Sequence, residues 1–241
     1  MSKYKYAIVI GASSGIGREI AQQLADSGCR VAAIARRTDR LEQLAGRSDQ
    51  ILPFTHDVRD VESIPALFQE VTGQLGGLDL VVYASGAMPK VRPDEFDLQK
   101  DQSILDVNVR GAVGWLNEAA TRFQAVGHGT IVGISSVAGE RGRAGQPAYN
   151  ASKAFLNTYL EALRNRLSKR NVVVTTIKPG PVDTEMTADL DLKRPMSAET
   201  AASLILKKAS SGRECFLSPV HGVAFFIIRN IPSWLFRRLK I

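Results

Sequence analysis

Short runs that are apolar almost throughout recur along this chain, and longer amphipathic stretches separate them. The runs are Tyr6–Ile10, Arg30–Ala35, Ile51–Thr55, Leu78–Tyr83, Gly129–Ile134, Val172–Ile177 and Glu214–Leu217. A strand with one wet face alternates apolar and polar residues; one covered on both faces does not. Between the runs the apolar spacing becomes helical. Ile20, Leu24 and Ala25 share a face of Gly15–Ser27, which Gly28 stops. Ile104, Val107, Gly111, Trp115 and Leu116 line one side of a helix over Ser103–Ala125. Phe155, Tyr159, Leu163 and Leu167 do so over Tyr149–Arg170. Strand–helix alternation of this kind predicts an α/β fold with three layers, a doubly wound parallel sheet of seven strands covered by helices on both faces.

At 241 residues the chain is long enough for one large domain, and no repeat, low-complexity tract or linker divides it. We expect a single domain over residues 1–219, with residues 220–241 as an apolar, basic extension of it. With 44% hydrophobic and 23% charged residues, neither disorder nor a disulfide scaffold is expected. Cys29 and Cys215 stand far apart, and His56, His128 and His221 are scattered, so no metal site is expected. Tyr6–Ile10 is too short for a signal peptide, which leaves the cytoplasm as the expected compartment. The net charge is +7; without Arg229, Arg237, Arg238 and Lys240 it falls to +3. A body so mildly basic argues against a nucleic-acid partner.

The run Ile10–Gly11–Ala12–Ser13–Ser14–Gly15–Ile16–Gly17 joins the first strand to the first helix. Gly11 permits a tight turn, Gly15 lets backbone approach a phosphate, and Gly17 lets the helix pack closely on the sheet. The free N–H groups of the helix start favour a pyrophosphate. This Gly-x-x-x-Gly-x-Gly pattern resembles the cofactor loop of the short-chain dehydrogenase/reductase family, and the likeness extends from Tyr6 to about Thr184. It implies a Rossmann fold that binds a nicotinamide dinucleotide.

The second strand ends without the acid that would bind a ribose 2′-hydroxyl, and Arg36 and Arg37 follow. A guanidinium fork matches a 2′-phosphate, so NADP(H) is expected over NAD(H); the alternative is a pair of solvated arginines opening the next helix. The resemblance places Asp57 and Val58 at the adenine, although Asp57 also suits a turn cap. It places Ala84 and Gly86 along the ribose, within Tyr83–Ala84–Ser85–Gly86, where the family usually carries Asn-Asn-Ala-Gly. Both asparagines are replaced. In Lys178–Pro179–Gly180–Pro181–Val182–Asp183–Thr184 it sets Pro179, Gly180, Val182 and Thr184 beside the nicotinamide. Glu185–Pro195 reads as a substrate lid.

Tyr149 and Lys153 are four apart, which on a helix puts them on one face. A tyrosine is a poor base near neutral pH, and an ammonium beside it stabilises the phenolate. Tyr149 is then an acid for the oxygen made by hydride addition, or a base for an alcohol. Lys153 also reaches the nicotinamide ribose. Ser136, thirteen residues before Tyr149, has the family's spacing for the hydroxyl that bonds the substrate oxygen; Ser135 suits the local turn. Asn108 matches the family's fourth catalytic position, where it holds a water that relays protons. The expected activity is NADP(H)-dependent hydride transfer to or from a small-molecule carbonyl or alcohol. The other reading is a catalytically idle dinucleotide-binding sensor or scaffold.

The resemblance also implies a homodimer, or a tetramer, through the helices over Ser103–Ala125 and Tyr149–Arg170. Trp115, Phe155, Tyr159 and Leu163 are the apolar material offered to it. The tail is apolar, aromatic and basic together: Val223–Ile228, then Ile231–Ile241. A helix–turn–helix on a membrane surface, bordering the pocket of a hydrophobic substrate, is one reading. A tail packed on its own domain or across a dimer is the other.

Overall fold

The computed structural model describes residues 3–92 and 94–239. In chain order the elements are β1 (Tyr6–Ile10), α1 (Gly15–Asp26), β2 (Arg30–Ala35), α2 (Thr38–Ala45), β3 (Ile51–Thr55), α3 (Ile64–Leu75), β4 (Leu80–Tyr83) and α4 (Leu98–Leu105). A π-helical turn (Asp106–Gly111) leads into α5 (Ala112–Val126), β5 (Gly129–Ile134), a 3-10 turn (Val137–Glu140) and α6 (Pro147–Leu167). Then come β6 (Val172–Lys178), β7 (Val182–Asp183), β8 (Met196–Ser197), α7 (Ala198–Lys208), β9 (Glu214–Phe216), α8 (Pro219–Asn230) and α9 (Ser233–Phe236).

Seven strands form one parallel sheet in the order β3-β2-β1-β4-β5-β6-β9, the Rossmann arrangement. The strand order reverses between β1 and β4, and there the strand ends open a crevice. Along each central strand successive side chains enter opposite cores. Val9, Val31 and Val82 meet Ile20 and Leu24 of α1 and Ile205 of α7. Ile8, Ile34 and Val81 meet Phe68 of α3, Trp115 of α5 and Leu160 of α6. Both faces are covered, which is why the strands carry no polar alternation.

The helix expected over Ser103–Ala125 is broken at the π-turn, which contains Asn108. Tyr83, the tyrosine that replaces an asparagine, stands there: its hydroxyl donates to the Val107 carbonyl at 2.5 Å. Trp115 is fully buried against His56 and Phe68, and Leu163 is also in the core. Neither is available to a partner subunit, because both lie on the sides of their helices that face the sheet. Phe155, stacked on Tyr159, stays on the outer surface with Leu105.

Candidate active site

At the reversal of strand order lies a cleft of about 900 Å³. The glycine loop forms one wall. Gly11 has φ +92, and a Cβ added there would lie 2.6 Å from the Ser85 nitrogen. A Cβ on Gly17 would lie 2.2 Å from the Gly11 carbonyl oxygen. Only glycines let α1 start this close to the sheet. Ser14 precedes α1 without capping it, because its Oγ accepts from Arg37 at 2.7 Å. The α1 N–H groups are left to the cleft, together with Ser13, Gly15 and Ile16.

Arg36 and Arg37 both line the cleft. Arg37 also donates to Ser13 Oγ at 3.0 Å and pairs with Glu185 at 2.6 Å; Arg40 pairs with the same carboxylate at 3.1 Å. The hydrogen bond from Arg37 holds the Glu185 carboxyl below its ordinary range. Arg36 is the more exposed, 4.0 Å from Asp57. Asp57 itself stands behind the wall. It caps a turn by accepting from the Arg59 N–H at 3.0 Å, and Arg59 Nε donates to it at 2.9 Å. Those bonds to Arg59 pull its pKa down. Val58 and Arg59 line the cleft in its place, with Ala84 and Gly86 opposite.

The chemistry-bearing residues converge where β5 and α6 meet. Lys153 is buried, and its Nζ donates to the Ile134 carbonyl at 3.0 Å. It lies 5.7 Å from the centre of the Tyr149 ring. Burial lowers its pKa to about 8. Burial raises the Tyr149 phenol, and a hydrogen bond with Ser136 and the charge of Arg143 act against that rise. Ser136 Oγ also accepts from the Ala138 N–H at 3.0 Å, starting the 3-10 turn. Ser135 Oγ donates instead to the Lys153 carbonyl at 3.1 Å and serves the helix. Asn108 is buried behind the cleft. It accepts from the Ala87 N–H at 2.7 Å and donates to the Ala87 carbonyl at 3.1 Å and Ser152 Oγ at 3.0 Å. Its carboxamide thus ties the loop after β4 to α6.

Pro179, Gly180, Val182 and Thr184 line the far wall. Behind them Lys178 is buried between Glu140 at 2.6 Å and Glu214 at 2.5 Å, bracing the turn after Ser136 against β9. The segment Glu185–Pro195, read in sequence as a lid, springs from paired strands, since β7 and β8 close its base. Met186, Asp189, Leu190 and Leu192 face the cleft from it. Arg143 follows a glycine between Ser136 and Tyr149, where no local sequence pattern singles it out. Its Nε is buried without a hydrogen-bond partner. In sequence Glu185 reads only as part of a lid, because its pairing with Arg37 spans 148 residues.

The glycine cradle, the uncapped helix start and the volume of the cleft fit a dinucleotide. Its pyrophosphate would lie on the α1 N-terminus, and its reactive end would lie near Tyr149 and Lys153. The comparisons agree with this geometry. Residues 5–195 match the family model for short chain dehydrogenase. An uncharacterized oxidoreductase of Myxococcus xanthus (strain DK1622) is 38% identical over 201 residues, covering 82% of this chain and 79% of that protein. A solved short chain dehydrogenase/reductase family protein is 30% identical with a TM-score of 0.78, covering 88% of this chain and 94% of that one. An actinorhodin polyketide ketoreductase with NADPH shares the fold at 23% identity and a TM-score of 0.82, over 91% of this chain and 97% of its own. The chain belongs to the short-chain dehydrogenase/reductase family of oxidoreductases.

Proposed function

We propose that this protein is an NADP(H)-preferring carbonyl reductase or alcohol dehydrogenase with Tyr149 as its acid–base residue. The observation that carries the reading is the meeting of Tyr149, Ser136 and buried Lys153 at the inner end of a cleft whose other end is the glycine cradle. When bound, the nicotinamide supplies or accepts the hydride. Ser136 Oγ bonds the substrate oxygen and holds the carbonyl toward the Tyr149 hydroxyl. In reduction Tyr149 gives its proton to that oxygen as negative charge gathers there. In oxidation the phenolate takes the alcohol proton. The Lys153 ammonium favours the phenolate and fixes the ribose. Asn108 joins the relay that returns protons from water. Arg37, and more weakly Arg36, select the 2′-phosphate. The ketoreductase neighbour with NADPH supports a nicotinamide cofactor.

The outer-face residues Leu105, Phe155 and Tyr159 support a homodimer across the end of α4 and the middle of α6. A concentration-independent monomer mass in solution scattering would rule it out. For the activity itself, purified protein is mixed with NADPH or NADH and a panel of ketones, and the nicotinamide absorbance is followed. Faster loss of absorbance with NADPH is expected. No turnover with either cofactor across the panel would leave a dinucleotide-binding sensor instead.

A further inference from the structure

The chemistry in the cleft leaves the tail unused; among the described residues, none that lines the cleft comes from it. Its expected place bordering the pocket is therefore corrected: α8 lies behind the wall, with His221 packed on Gly180. α8 is apolar on every side. His221, Ala224, Phe225 and Ile228, spaced by three and four, are partly covered by the body. Val220, Val223, Phe226 and Ile227 point into water at 73%, 65%, 72% and 58% exposure. In and after α9, Trp234, Leu235 and Leu239 are exposed as well. A helix apolar all round is normally covered all round.

The outward face cannot turn in, because its inner side is clamped. Arg141 donates to the carbonyls of Ile228, Arg229 and Ile231 at 3.2, 2.9 and 2.7 Å, satisfying the end of α8. The same guanidinium lies 4.4 Å from the centre of the Phe236 ring. Residues 219–239 include exposed Arg229, Arg237 and Arg238 and no acidic residue. Lys240 lies outside the described residues. No helix among the described residues is long and apolar enough to cross a membrane. An apolar face edged by three arginines and no acid is complementary to an anionic surface.

We propose that α8 and α9 form a preformed platform that lies flat on an anionic membrane surface. Val220, Val223, Phe226, Ile227 and Trp234 enter the acyl boundary, and Arg229, Arg237 and Arg238 meet the headgroups. This docking is independent of the reaction assigned to the cleft. The test is co-sedimentation of the full chain with vesicles of phosphatidylcholine alone, or of equal parts phosphatidylcholine and phosphatidylserine. Emission is read alongside: of two tryptophans Trp115 is buried, so a blue shift reports Trp234. Binding to the mixed vesicles only, weakened by salt, is expected. Phe226→Ser with Trp234→Ser should lower partitioning about tenfold or more. Arg237→Gln with Arg238→Gln should lower it about tenfold. Turnover of a water-soluble ketone should be unchanged in both. Protein left in the supernatant with both vesicle types overturns the proposal, as do unmoved emission or variants that bind as well as the parent. A dimer that Phe226→Ser converts to monomer gives the face to a second copy and overturns it too.

Discussion

The inner end of the cleft buries what ordinarily stays wet, and the tail wets what ordinarily stays buried. Lys153 is 4% exposed and Asn108 1%, whereas Phe226 is 72% exposed. Elsewhere the core follows the usual sorting, with apolar side chains filling both sides of the sheet. The two departures differ in how the molecule accommodates them. At the cleft the buried polar groups of the chemistry have partners: Lys153 has the Ile134 carbonyl, and Asn108 has Ala87 and Ser152. At the tail the apolar face has no cover among the described residues. A satisfied buried charge serves chemistry on the spot; an uncovered apolar face needs something from outside. Natural folds depart from their own rules chiefly where function demands it.

The largest effect is expected at the cleft. Tyr149→Phe should lower kcat by about 10²–10⁴-fold, the usual worth of a positioned acid–base group. Cofactor affinity should stay nearly intact, as the ring still packs. A variant with near-normal turnover would remove Tyr149 from proton transfer.

Lys153→Met sharpens the contrast, since it should abolish activity and weaken cofactor binding while stabilising the apo-fold. Burial lowers the folded pKa of Lys153 to about 8, whereas an unfolded lysine titrates near about 10.4. Between those values the unfolded chain binds more protons, so stability should rise with pH through that window. Below it the charge costs its full amount. Met should then gain on the order of 1–3 kcal/mol at neutral pH, less what is lost by leaving the Ile134 carbonyl unpaired. Thermal unfolding of parent and variant at neutral and alkaline pH reads both effects. A stability difference between parent and variant that does not shrink from neutral to alkaline pH would contradict the burial argument.

A smaller effect is expected at the cofactor's far end. Arg37→Leu should weaken NADPH binding about tenfold and NADH binding little, and Arg36→Leu should matter less because its side chain is the more exposed. Glu185→Gln should act the other way, freeing Arg37 for a 2′-phosphate and raising the NADPH preference a few-fold. Equal changes for both cofactors in binding titrations would defeat this assignment. Smallest of all, Arg143→Met should move the rise of the oxidation rate to higher pH. Removing that cation disfavours the Tyr149 phenolate. A pH–rate profile that stays in place would show that Arg143 serves only packing.

The strands and their burial were legible because both cores demand apolar side chains at every central position. The glycine loop and the Tyr149–Lys153 pair were legible because their spacing is local. Long-range pairings were not. Nothing near Arg37 in sequence points to Glu185, 148 residues away. Trp115 misled for a related reason: a stripe marks one face of a helix as apolar, but not whether that face meets the sheet or a partner. The π-turn at Asn108 carries no pattern distinct from a continuous helix.

The most direct test of the account uses NADPH deuterated at nicotinamide C4, one diastereomer at a time, with a ketone the protein turns over. The alcohol is analysed by mass spectrometry for the parent and for Tyr149→Phe. The account predicts that one diastereomer alone delivers its deuterium to the carbinol carbon, and that the variant forms little product in the same time. Label in the alcohol from neither diastereomer, or equal product from the variant, would contradict it.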